Sequence, residues 1–213
     1  MTKQTNVGSS SEKLLFDEQF YCSIYPDVPE EGVAAYEHFM SRGWAEGRSP
    51  HPLFDTGQYL DRNPDVVASG QNPLSHYLTC GWRELRNPHP LFSIEWYLTH
   101  YPDVRTSETE PLLHYLDFGW KEGREPSGLF LGVFFARRYS ASTPEGVNTA
   151  PLLDYARTGW RERIDPHPVF SVHDYMENNP DVAAAGIDPL AHYLEGGWRE
   201  RRNPHPLFHV EWY

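Results

Sequence analysis

The sequence predicts an all-α chain of tandem two-helix repeats, stacked as a short α-solenoid with extended proline-rich links. Three recurrences predict it. Phenylalanine after an aliphatic residue falls at Phe16, Phe54, Phe92, Phe130, Phe170 and Phe208, in steps of 38, 38, 38, 40 and 38. Gly-Trp recurs in phase at Trp44, Trp82, Trp120, Trp160 and Trp198, and Pro-His-Pro at His51, His89, His167 and His205. A fixed period of this length marks units that bury their apolar faces against one another. Five units are expected at 14–52, 53–90, 91–128, 129–168 and 169–206. A polar leader over 1–13 reads as disordered, and 207–213 reads as the start of a sixth unit, cut inside its first helix.

The second unit gives the logic of each element. Asp55 follows Leu53-Phe54 and is placed to cap a helix, because its carboxylate can accept from orphan amides. Asp17, Ser93 and Ser171 hold the same place. The helix is predicted through Tyr59 and Leu60 and ends at Asn63-Pro64, since proline lacks an amide hydrogen and disfavours a helical residue before it. Asp65-Val66 then leads into a loop carrying Gly70. A second helix starts at Asn72-Pro73, with proline at the first helical position. Asp188-Pro189 repeats this start, and Pro111 and Pro151 share the slot. Leu74, Tyr77 and Leu78 lie at i, i+3 and i+4 and share one face. Gly81 is expected as a left-handed residue just past the helix, with Trp82 folding back onto Tyr77. Gly43, Gly119, Gly159 and Gly197 recur at this site as structural markers. Pro-His-Pro is a stiff extended link. The fourth unit departs: Ser140-Ala141-Ser142-Thr143 replaces the Asn-Pro-Asp-Val stretch, and an irregular loop is expected there.

Composition narrows the function classes. A unit of this size is too small to hold a core alone, and aromatics, 15% of residues, must supply much of the shared one. A net charge of −12 argues against a nucleic-acid or anionic-membrane surface. No secretory signal is visible at the N-terminus, and no apolar run is long enough to span a bilayer. Cys22 and Cys80 do not recur in register, which fits a reducing, cytoplasmic compartment.

Candidate chemistry recurs like struts. His38, His76, His114 and His192 sit in second helices, with Asp154 at that place in the fourth unit. Where a unit carries both, the link histidine follows 13 residues later, so the two do not form a helical i, i+4 ligand pair. A histidine donating to a backbone carbonyl at a unit junction is expected instead. Glu46, Glu84, Glu122, Glu162 and Glu200 precede Arg48, Arg86, Arg124, Ile164 and Arg202 by two residues, and pairing among themselves, with helix ends or with the next unit is expected. Asp27, Asp65, Asp103 and Asp181 are too isolated for calcium and read as turn or capping residues. No catalytic motif, metal site or cofactor motif is predicted. Tyr21, Tyr59, Tyr97, Phe135, Tyr175 and Tyr213 form an always-aromatic core position. The residue before it varies from Phe20, Trp96, Phe134 and Trp212 to Gln58 and Asp174, so those four aromatics are candidate partly exposed contacts for a sugar ring or a partner's pocket. Interunit packing that varies along the array is the competing explanation.

The phrase from Asn179 to Pro204, Asn-Pro-Asp-Val-Ala-Ala-Ala-Gly-Ile-Asp-Pro-Leu-Ala-His-Tyr-Leu-Glu-Gly-Gly-Trp-Arg-Glu-Arg-Arg-Asn-Pro, resembles tandem repeats of bacterial proteins found beside glycosyltransferase domains, rhamnan-synthesis-type proteins among them. The resemblance spans about residues 14 to 213. It implies an association with surface-polysaccharide synthesis or export, in the cytoplasm or at the membrane periphery, and carries over no catalytic residue. The leading expectation is a non-catalytic binding or scaffold module that holds a glycan or a protein along the repeat surface. One alternative is a fragment of a glycosyltransferase whose catalytic domain lies beyond Tyr213. Another is a homo-oligomeric scaffold joined through the apolar end at Phe208 to Tyr213.

Overall fold

The computed structural model describes residues 12–30, 34–142 and 149–208. They form an all-helical tandem repeat of solenoid type, without a strand among them. The chain forms two compact units: Met1–His89 carries repeats 1 and 2, and Pro90–Tyr213 carries repeats 3 to 5.

First helices run Glu18–Ile24, Thr56–Arg62, Ile94–His100, Gly132–Ser142 and Val172–Asn178. The predicted caps hold, because Asp17, Asp55, Ser93 and Ser171 each accept the amide three residues on, at 2.9–3.2 Å. Second helices run Ala35–His38, Pro73–His76, Pro111–His114, Pro151–Asp154 and Pro189–His192. Asn72 and Asp188 cap theirs, with proline following as expected.

Where a loop was expected after the first helix, four repeats carry a further short helix: Asp27–Glu30, Pro64–Ser69, Pro102–Thr106 and Pro180–Ala185. Proline ends one helix by holding its predecessor extended, and its fixed φ opens the next. Asn63 shows the joint, at φ −126° and ψ 70°. Each short helix drives one valine into the core: Val28, Val66, Val104 and Val182 are at most 2% exposed. The fourth repeat instead continues its first helix to Ser142, so the expected loop is helical at Ser140, Ala141 and Ser142, while Thr143 lies outside the described residues.

The second helices are not α throughout. After His38, His76, His114, Asp154 and His192 each widens into a π-turn: Phe39–Gly43, Tyr77–Gly81, Tyr115–Gly119, Tyr155–Gly159 and Tyr193–Gly197. The Trp82 amide, for example, reaches back five residues to the Tyr77 carbonyl at 3.1 Å. The recurrent glycine closes this turn in right-handed geometry, contrary to the left-handed position expected of it. Its reason is contact. A Cβ on Gly43, Gly81, Gly119 or Gly197 would lie 2.1–2.3 Å from the hydroxyl of Tyr21, Tyr59, Tyr97 or Tyr175. That hydroxyl is 2.9 Å from Nδ1 of His38, His76, His114 or His192. The left-handed residues stand four further on, at Gly47, Leu85, Gly123, Arg163 and Arg201. Repeat 4 changes the whole node together. Phe135 replaces the tyrosine, Asp154 replaces the histidine and binds Thr149, and Gly159 abuts the Phe135 ring.

Each repeat also closes on itself. The amides of Asp17, Asp55, Ser93, Leu131 and Ser171 donate to the carbonyls of Pro50, Pro88, Pro126, Pro166 and Pro204, at 2.9–3.2 Å. In the links, Nδ1 of His51, His167 and His205 accepts the amide two residues on, at 3.1–3.2 Å. That bond requires an unprotonated Nδ1 and so places the neutral ring's hydrogen on Nε2. Latches between neighbouring repeats use a seven-residue spacing, with Ser49, Glu125 and Asp165 accepting the amides of Thr56, Gly132 and Val172. Residues 12–14 are helical, and Glu12, read as part of the leader, is buried and accepts from Tyr36 and Ser75. The rest of the leader, 1–11, lies outside the described residues.

Gly81→Ala should destabilise the first compact unit by about 1–3 kcal/mol, the cost of overpacking a filled site. Tyr59→Phe should relieve part of it, so the urea-unfolding cost of the double variant should fall short of the sum. Burial pushes the His89 imidazole down to about 4, against the influence of Asp55. An unfolded histidine titrates near about 6.5, so below that the unfolded chain binds more protons than the native one. The His89 contribution is therefore complete above about pH 6.5 and is lost as pH falls toward about 4. Urea midpoints measured across that window should drop less steeply in His89→Gln.

Candidate functional site

The recurrent charges are structural. Arg48, Arg86, Arg124 and Arg202 each bind the glutamate two residues before, at 2.6 Å, and the aspartate of the preceding short helix, at 2.7–2.8 Å. The Asp27 series thus serves as the arginine's partner, beyond the turn or capping role expected of it. Arg86 and Arg202 hold the carboxyls of Asp65 and Asp181 down to about 2. The guanidinium also lies 5.0 Å over the ring of Tyr25 or Tyr101, or donates to Asn63 or Asn179. Repeat 4 has Ile164 in place of the arginine, buried, as part of the same coordinated departure. A strut repeated four times builds the scaffold, and the candidate site is where the pattern breaks.

A groove of about 530 Å³ opens there, between repeats 3 and 4. One wall is the turn of repeat 3, with Tyr115, Trp120, Arg124 and Glu125. The other is the first helix of repeat 4, which turns Gly132, Val133, Ala136, Arg137 and Ser140 toward it at helical spacing. Two small residues carve it. Gly132 stands where other repeats have Glu18, Thr56, Ile94 or Val172, and Ala136 where they have Cys22, Leu60, Leu98 or Met176. The Gly132 amide donates to Glu125 at 2.6 Å, which ties the walls together. Burial pushes the Glu125 carboxyl up, while that amide opposes the shift. Trp120 is half-buried and anchored by its Nε1, which donates to the Leu116 carbonyl at 3.0 Å. The groove is mostly apolar, with guanidinium, carboxylate and hydroxyl groups set around it. That suits non-covalent holding of a ligand with one apolar face and several polar groups.

The four candidate aromatics lie elsewhere. Phe20, Trp96 and Phe134 are all half-buried, and none lines the groove. His100 stacks on Trp96 with ring centroids 3.8 Å apart, and Arg138 covers Phe134 at 4.2 Å. Trp212 lies outside the described residues, as do Tyr213 and most of the end expected to join copies. Cys80, four residues after His76, supplies the helical i, i+4 partner that the recurrent histidines lack between themselves. Among the described residues no helix is long and apolar enough to cross a membrane. No family model, curated protein or solved structure matches the chain.

Ala136→Leu restores the residue of repeats 2 and 3 and should fill the groove. It should raise thermal stability by about 0.5–2 kcal/mol, as cavity filling commonly does. A melting temperature below the parent's would show the space to be closed to a larger side chain.

Proposed function

We propose that this chain is a non-catalytic helical-repeat binding module, working beside bacterial surface-polysaccharide glycosyltransferases, and that it holds a glycan in the groove between repeats 3 and 4. The groove carries the reading. It borders the first helix of the one repeat that departs from the common pattern, and Gly132 and Ala136 leave room there. Its volume falls within the range of small-molecule sites. The Trp120 ring offers an apolar face for a pyranose, and Arg137, Glu125 and Ser140 offer donors and acceptors for its hydroxyls. The link to polysaccharide synthesis rests on the resemblance carried by Asn179 to Pro204. Adjacent repeats would add weak contacts along a chain-like ligand, raising avidity without a deep pocket.

A glycan array of bacterial surface oligosaccharides, probed with the parent and with Ala136→Leu, tests this. Parent binding that is lost in Ala136→Leu and kept in Trp96→Ala is the expected pattern. Binding lost only in Trp96→Ala would move the site to the first helix of repeat 3. Absence of any bound glycan would sink the proposal.

A further inference from the structure

We propose that His76, Cys80 and Glu84 bind a zinc ion at the end of the second helix of repeat 2. Their ligand atoms lie within 4.8 Å of one another. Zinc holds sulfur at about 2.3 Å and nitrogen or oxygen at about 2.0–2.2 Å, so two ligands on one ion stand about 3–4 Å apart. Side-chain rotation covers the difference. The backbone brings the three together: His76 ends the α segment, Cys80 lies in the π-turn Tyr77–Gly81, and the Glu84 amide donates to the Cys80 carbonyl at 3.1 Å.

The set is graded from inside outward, with His76 buried, Cys80 half-buried and Glu84 exposed. An ion therefore enters from solvent onto an imidazole already fixed from within, since Tyr59 holds Nδ1 at 2.9 Å. Zinc on Nε2 selects the tautomer with its hydrogen on Nδ1, so the Tyr59 hydroxyl turns from donating to accepting and becomes the outer partner that orients a metal-bound histidine. Thiolate with imidazole and carboxylate favours zinc over magnesium or calcium, and water completes the tetrahedron. On binding, the Cys80 S–H bond breaks, its electron pair forms the Zn–S bond, and the proton leaves to solvent. Arg86 gives up Glu84 but keeps Asp65 at 2.8 Å. Arg42, Phe118, Thr158 and Gly196 stand at the Cys80 place in other repeats, so the site is confined to repeat 2.

Cobalt(II) added to the untagged full chain reads the site directly. A thiolate-to-cobalt charge-transfer band at one equivalent is expected in the parent and in Cys22→Ser, and none in Cys80→Ser with an unchanged circular dichroism spectrum. Zinc should displace the cobalt, and Glu84→Gln should weaken zinc at least tenfold in competition with a chromophoric chelator. No band in the parent, a band surviving Cys80→Ser, or parent-like zinc affinity in Glu84→Gln would overturn the three-ligand site.

Discussion

One contact disciplines each regular repeat: a tyrosine hydroxyl pressed between a histidine Nδ1 and the bare Cα of a glycine. The hydroxyl is buried and must be paired. Burial raises the pKa of Tyr21, Tyr59, Tyr97 and Tyr175, so each stays protonated and can donate to the imidazole. The approach is too close for any side chain at the glycine. Three positions drawn from two helices are thereby fixed at once, and the π-turn lies between the last two of them. The histidines recur for this reason, which also accounts for their failure to compose an active site.

Repeat 4 is the one in which this node is released. Tyrosine, histidine and arginine change together to Phe135, Asp154 and Ile164, and the Pro-Asp-Val start of the short helix is absent from the sequence. The Phe135 ring still fills the core and stacks on Tyr139 with centroids 5.2 Å apart. The first helix runs on past its usual stop because no proline arrests it. Packing survives the loss of polar specificity, and the groove borders this altered helix.

Much of the repeat was legible. Asp55, Asn72-Pro73 and the core tyrosines announced caps, starts and burial because each has a local physical cause. The short middle helix was not, since Asn63-Pro64 reads as a stop and proline at a first helical position reads only as a start; both apply at one residue. The π-turn has no propensity signal of its own. Gly81 misled because a recurrent glycine can mean positive φ or close approach, and the positive φ falls partly on Leu85, Arg163 and Arg201, which do not advertise it. The groove was written in the columns through Gly132 and Ala136. Aromatic columns draw the eye first, yet it is missing volume that makes a cavity.

The bond from each capping residue to its own link proline spans 33 residues, as from Asp17 to Pro50, or 35 in repeat 4, from Leu131 to Pro166. No repeat needs a distant partner strand or a remote terminus to complete its backbone pairing. Loop closure over such a span costs little more than over half of it, because the entropy grows only with the logarithm of length. Each repeat can thus close its own backbone ring locally, while burial of its apolar face still takes a neighbouring repeat. Backbone order is set within a repeat, and stability between repeats.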